Sequence, residues 1–373
     1  MDAAEAAISV GTRELCCRLG VAGRSFARSA ENLKQSAQIT VSEELLRSVV
    51  ENEGKAVLKA SADEQLEIDW SAAECKTQTP DGQEVSRMYA SGDGVMVPAT
   101  TDAEKQKRRA TVLLRRKQMP RRQRRRLKRL GAVKKGSDQR CKQVYVTIFY
   151  DQDQEHRLVG LTRKDHKGLR KLLGTEAARV LLRGAAERVG LVDGAVCLRT
   201  NLECLPLEVV LLDFYHLSEH VGEAGRKTLG EKTEKVPGRK AGEGGQQDQQ
   251  PSPARQWATN VLHTLKHEGY EPFFQKLVDW RSGLRGGRRK AADQLLNYVA
   301  AREDMMDYAA AVKRGWHIGS GPVESMCGVT TDRIKGRGRR WDMDNAEAVM
   351  ALEALHQSGL WKPYWDKVLV NMN

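Results

Sequence analysis

A chain of 373 residues with 40% apolar and 5% aromatic content is long enough for one large core with excursions, or for two or three smaller domains. Its formal charge of +13 is local: residues 105–135 hold 16 Lys and Arg and no acid, leaving 46 basic against 49 acidic residues elsewhere, a net of −3. No apolar run approaches the ~20 residues that span a bilayer, which excludes a helical membrane protein. The opening residues carry neither a basic n-region nor an apolar h-region, so no signal peptide is expected. Seven cysteines, at 16, 17, 75, 141, 197, 204 and 327, form no C-x-x-C pair. They are read as free thiols in a reducing compartment, the bacterial cytoplasm or nucleoid.

In chain order, residues 1–84 form an N-terminal helical region, since Leu15, Leu19, Val41, Leu45, Leu46 and Val49 recur at helical spacing. Residues 85–98 (VSRMYASGDGVMVP) predict two short strands about an Asp93-Gly94 hairpin turn. The basic tract follows, as an insertion over 105–140. Residues 143–150 (QVYVTIFY) predict a strong strand and 157–162 a weaker one, then a helix over 166–188, then strands at 190–198 and 207–212. That order predicts an α/β fold with a mixed sheet over 85–219. Residues 220–314 divide into a Gly/Gln/Lys/Pro-rich loop at 231–253, too poor in apolar residues to order itself, and a helical part at 255–313. Within 315–373 a helix starts at Pro322 and the last one runs over 344–356.

Three acidic residues stand out. Asp93 and Asp193 each precede glycine at a predicted strand end; the plain reading is turn chemistry. Glu324 follows Pro322 in the first turn of a helix, where a carboxylate also complements the helix dipole. Carboxylates converging from separate elements are what two Mg²⁺ ions need to hold both oxygens of a phosphodiester displacement.

Taken with Asp213-Phe-Tyr-His216, with Gly315-Trp-His-Ile-Gly-Ser-Gly-Pro-Val-Glu-Ser325, and with the run 332–341 (DRIKGRGRRW), the sequence resembles ISKra-type insertion-sequence transposases, relatives of the Mutator-like enzymes within the DDE superfamily. The resemblance spans roughly residues 86–365. It implies an RNase H-like fold with a helical insertion before the glutamate. It also implies catalytic and metal-binding roles for Asp93, Asp193 and Glu324, an Asp-x-x-His motif at Asp213 and His216, a pair of Mg²⁺ or Mn²⁺ ions as cofactors, and DNA as partner in a homo-oligomeric synapse. Where that family carries a Trp soon after the second Asp-Gly-Ala, Val196 and Cys197 stand here; a catalytically inactive DNA-binding relic is the alternative.

The basic tract, with Arg121, Arg122, Arg124, Arg125, Arg126, Lys128 and Arg129 at its densest, is read as phosphate-binding, against a solvated charge run. Arg333, Lys335, Arg337, Arg339 and Arg340 are expected to hold DNA near the metals. Trp341 is either a base-stacking platform or a core residue; Trp316 and Trp361 are read as packing. His216-Leu-Ser-Glu219-His220 also fits the H-x-x-E-H zinc-peptidase pattern, an alternative that leaves the basic tract and the Glu324 block unexplained.

Overall fold

The computed structural model describes residues 8–127, 129–230 and 252–370. Three helices come first: α1 (Val10–Ala22), α2 (Phe26–Ala37) and α3 (Glu43–Ala62). Each is preceded by a serine, Ser9, Ser25 and Ser42, whose side chain accepts a backbone N–H of the first turn, the cheapest way to satisfy a donor the helix leaves free.

Next come β1 (Lys76–Gln78), β2 (Glu84–Pro98), the basic helices α4 (Asp102–Gln118) and α5 (Arg121–Arg124), β3 (Cys141–Tyr150), β4 (Arg157–Thr162), α6 (His166–Arg179), β5 (Glu187–Val192), α7 (Val196–Leu202), β6 (Val209–Leu212) and α8 (Phe214–Leu229). The sheet order is β4-β3-β2-β5-β6, with β1 paired to the start of β2. β3 runs antiparallel to both its neighbours, while β2, β5 and β6 are parallel. The fold is therefore mixed α/β. A helical excursion follows: α9 (Pro253–His267), α10 (Tyr270–Ser282), α11 (Gly286–Ala300) and α12 (Tyr308–Arg314). The chain ends with α13 (Gly321–Asp332), α14 (Met343–Gln357) and α15 (Trp361–Val370).

Helices cover both faces of the sheet. α6 and α7 lie on one, and α13 and α14 on the other. This sandwiching explains why β3 is apolar along its length rather than alternating. α14 is buried nearly all round through Ala346, Ala348, Ala351 and Ala354, and small residues let α3 close on it backbone to backbone. A Cβ on Gly54 of α3 would lie 2.1 Å from the Ala348 carbonyl oxygen. The N-terminal helices thus pack directly on the C-terminal part of the chain.

Several expected boundaries need correction. β2 is one continuous strand, not a hairpin: Asp93 sits in mid-strand opposite Val146 of β3. Its glycines serve packing rather than a turn. A Cβ on Gly92 would stand 3.3 Å from Leu198 of α7, the close approach that favours glycine in a strand. The strand expected over 190–198 stops at Val192, because Gly194 takes φ +88° and α7 begins at Val196. The helix expected to reach residue 188 stops at Arg179, where Leu181 turns left-handed (φ 51°). The expected last helix is followed by another, α15. Of the loop expected over 231–253, residues 231–251 lie outside the described residues; Ser252 caps α9 and Pro253 opens it.

Candidate active site and basic cleft

The parallel pairing of β2 with β5 aligns Ser91 with Leu191. Two residues on along each strand stand Asp93 and Asp193. One strand further over, Asp213 follows β6, its N–H donating to the Val192 carbonyl at 2.7 Å. Three carboxylates therefore line neighbouring parallel strands, and α13 packs over β2 beside them.

Asp93 is half-buried. Burial raises its carboxyl above the ordinary carboxylate range, and the charge of Asp193 adds to the rise; the Gly94 N–H, the Cys327 thiol and Lys335 oppose it. The Gly94 N–H donates to Asp93 Oδ1 at 2.5 Å. Asp193 is fixed similarly by the Ala195 N–H on its Oδ1, at 2.9 Å. Glu324, exposed in the first turn of α13, is raised by desolvation first, then by the charges of Asp213, Asp93 and Glu219, with His216 opposing. Asp93 and Glu324 thus each feel neighbouring negative charge, an excess that hard cations would relieve. The structure brings Asp93, Asp193, Asp213 and Glu324 into one electrostatic neighbourhood. It does not bring the ligand atoms of Asp93, Asp193 and Glu324 within 4.8 Å of one another.

Asp213 has a separate job. It is 1% exposed. Its Oδ1 accepts the N–H groups of Tyr215 (2.6 Å) and His216 (3.0 Å). Its Oδ2 accepts the Ser320 N–H at 2.8 Å and also the Ser320 hydroxyl. With both oxygens engaged, Asp213 caps α8 and anchors the residue that opens α13, four positions before Glu324. Phe214 reinforces the joint by donating to the Ile318 carbonyl at 2.9 Å. Asp213 is a positioning residue, not a free metal ligand.

His216 is partly exposed, with its Nδ1 3.8 Å from Glu219. His220 stacks on Tyr298 at 4.0 Å, and burial lowers its pKa. No third ligand joins this pair of histidines among the described residues, which leaves the zinc-peptidase pattern without a coordination set. Tyr298 near the end of α11 and Arg302 just after it crowd the turn after Asp193. Arg302 donates to the Gly194 carbonyl at 3.2 Å, while Tyr298 Oη and Arg302 Nε are buried without partners.

The basic residues divide into two groups. Arg121, Arg122, Arg124, Arg125, Arg126, Arg129, Lys335 and Arg337 are exposed; Lys128 lies outside the described residues. α4 is a well-built helix, with a capping box between Thr101 and Glu104 and no buried residue, so the tract is not a structureless charge run. It is rooted by Lys105–Asp342 (2.7 Å) and Arg340–Glu104 (3.0 Å). Between α4, the N-terminal helices and the loop after α13 lies a cleft of about 740 Å³, with Arg24, Arg47, Lys105, Arg108, Lys134 and Arg339 on its walls.

Arg333 requires correction, and of its two readings Trp341 takes the core one. Arg333 is buried, donates to the Gly20 carbonyl at 3.0 Å, and lies 4.4 Å from the Phe26 ring and 5.2 Å from the Trp341 ring. Burial pulls its pKa down to about 10. Trp341 is core, its indole N–H on the Ile334 carbonyl at 3.2 Å. Arg339 donates to the Arg333 carbonyl at 2.6 Å and also to that of Arg24. These residues fasten the loop after α13 to α1 and α2. Trp316 and Trp361 are buried, as expected.

Sequence reasoning missed Cys327, Ser320, Tyr298 and Arg302. Cys327 was within reach: it lies three positions after Glu324, on the same helix face. Burial pushes its thiol pKa up, and it is close enough to Asp93 for the carboxylate to add to the rise. The others meet partners far away in the chain. A scan against protein-family models and a search of curated proteins find no match.

Proposed function

We propose that the chain is a DDE-type DNA transposase that cleaves DNA at insertion-sequence ends and joins them to target DNA. The observation that carries this reading is the placement of Asp93 on β2 and of Asp193 just past the end of the adjacent parallel strand β5, with Glu324 on a helix packed over β2 and within reach of Asp93's charge. The mixed sheet, helices on both its faces and the helical excursion before Glu324 support an RNase H-like core. All three candidate ligands are carboxylates, the hard oxygen donors that Mg²⁺ and Mn²⁺ prefer.

Two such cations, held by Asp93, Asp193 and Glu324, would supply charge neutralisation at the scissile phosphate and an acidified water nucleophile. The protein's own share is positioning. The Gly94 and Ala195 amides fix one oxygen of each aspartate. Asp213 and Ser320 set the start of the glutamate helix. Lys335 adds positive charge beside Asp93. The exposed arginines after α4 hold the DNA backbone without reading its sequence. Synapsis of two ends calls for a second copy of the chain.

The test is cleavage of a labelled fragment bearing the element's terminal repeats, in Mg²⁺ or Mn²⁺. Asp93→Ala, Asp193→Ala and Glu324→Gln should each lose cleavage by about 100-fold or more. Wild-type cleavage in any of them would overturn the assignment. The separation of the three carboxylates favours one second reading, a DNA-binding relic without nuclease activity. Binding with no cleavage by the wild-type chain selects it.

A further inference from the structure

At the opposite end of β2 from the carboxylates, three residues from separate segments meet. Cys75 precedes β1, Asp151 directly follows β3 and His156 directly precedes β4. One ligand atom of each lies within 4.8 Å of the other two. We propose that Cys75, Asp151 and His156 bind a Zn²⁺ ion that pins the entry to the sheet onto the β3–β4 hairpin.

The donors are a sulfur, an imidazole nitrogen and a carboxylate oxygen, a mixed set suited to zinc and poorly suited to Mg²⁺. Cys75 is 2% exposed and Asp151 7%. Asp151 Oδ1 is buried with no hydrogen-bond partner, a costly arrangement in the absence of a ligand. The other oxygen already orients the histidine: Oδ2 contacts His156 Nδ1 at 2.7 Å and accepts the His156 N–H at 3.2 Å. The hairpin is closed independently by the Asp151 N–H on the His156 carbonyl at 3.1 Å, so the ligands are preset by backbone. Asp151 and Glu74 place negative charge near the thiol, and Trp70 packs edge-on to His156 at 5.3 Å. A cleft of about 610 Å³ beside Trp70 and His156 gives an ion a way in.

Bond lengths of about 2.0–2.3 Å to zinc require the three donor atoms to settle around a common centre. On binding, the Cys75 thiol loses its proton to solvent and a zinc–sulfur bond forms. The Asp151–His156 side-chain contact gives way to coordination, and water takes the fourth position. A Cys-His-Asp relay for nucleophilic catalysis does not fit, because the sulfur is closed off from any substrate.

The full-length chain, loaded with Zn²⁺ and dialysed against metal-free buffer, should retain one zinc. Loaded instead with Co²⁺, it should show the thiolate-to-cobalt charge-transfer band. Cys75→Ser should abolish that band, and His156→Ala should weaken zinc binding by about tenfold or more. Glu324→Gln should retain the metal, which separates this site from the nuclease site. Because the Cys75→Ser chain could misfold, the cobalt band of the wild type stands as an independent arm. Absence of that band, or undiminished zinc in His156→Ala, overturns the proposal.

Discussion

Replacing Asp213 with Asn probes the joint that sets the glutamate helix. Asn keeps one acceptor oxygen, so the Tyr215 and His216 amides can still be served. The other position becomes an NH₂ group facing the Ser320 N–H, donor against donor. The Ser320 hydroxyl can rotate to accept from it, but the backbone N–H is left buried and unpaired, a loss of about 1–3 kcal/mol. The surviving bonds also lose the strength that a charged acceptor gives, about 0.5–1 kcal/mol each. The total is roughly 2–5 kcal/mol, reduced slightly because one of the charges crowding Glu324 is gone. Ser320→Ala removes only the hydroxyl bond and should cost about 1–2 kcal/mol. Urea unfolding of the three proteins, compared at matching slopes, gives the two differences. An Asn variant within about 1 kcal/mol of wild type, or no worse than Ser320→Ala, would refute the account of Asp213 as a fully engaged buried anchor.

Other outcomes follow from the same reasoning. Buried Glu176 accepts from the Thr147 hydroxyl at 2.7 Å, and burial raises its pKa to about 7. The folded protein thus holds this proton more tightly than the unfolded chain. Stability from this group is complete below the unfolded value near 4.5 and is lost as pH rises through 7. Glu176→Gln should therefore gain about 2–3 kcal/mol over wild type at pH 8 and nothing at pH 4, as read by thermal or urea melts. Changing Arg121, Arg122, Arg124, Arg125 and Arg126 together to Ala should flatten the salt dependence of DNA binding by about four in log–log slope; an unchanged slope in a binding titration would remove this segment from the interface. Gly54→Ala should destabilise by about 1–3 kcal/mol, because the obstacle is the Ala348 backbone; a neutral result in a urea melt would deny the close α3–α14 crossing.

Local signals carried far in this chain. The helical spacing of Leu15, Leu19, Val41, Leu45, Leu46 and Val49 announced the N-terminal helices, QVYVTIFY announced the sheet's interior, and Pro322 announced α13. The Asp-Gly pair did not discriminate. At Asp193 it ends a strand, with Gly194 left-handed; at Asp93 it lies within a strand, because β3 pairs with all of 89–98. Nothing within a few residues distinguishes these cases; the difference is set by a partner about 50 positions later. Arg333 read as DNA-facing, and Trp341 was left between stacking and core, because their true neighbour, Phe26, stands more than 300 residues away. Asp213 was legible as part of a motif but its role was not, since its partner Ser320 lies 107 positions on. The cluster of Cys75, Asp151 and His156 has no spacing that a motif scan would catch, since the sheet assembles it.

The bond between Asp213 and Ser320 also fixes where the helical excursion leaves and rejoins the sheet. Everything from α8 to α12 departs from one side of a single carboxylate and returns to the other. The excursion is a parenthesis in the chain: its contents can lengthen, shorten or be rebuilt while the brackets stay closed. A protein organised this way can change what its peripheral helices grip without re-aiming the acidic residues of the sheet.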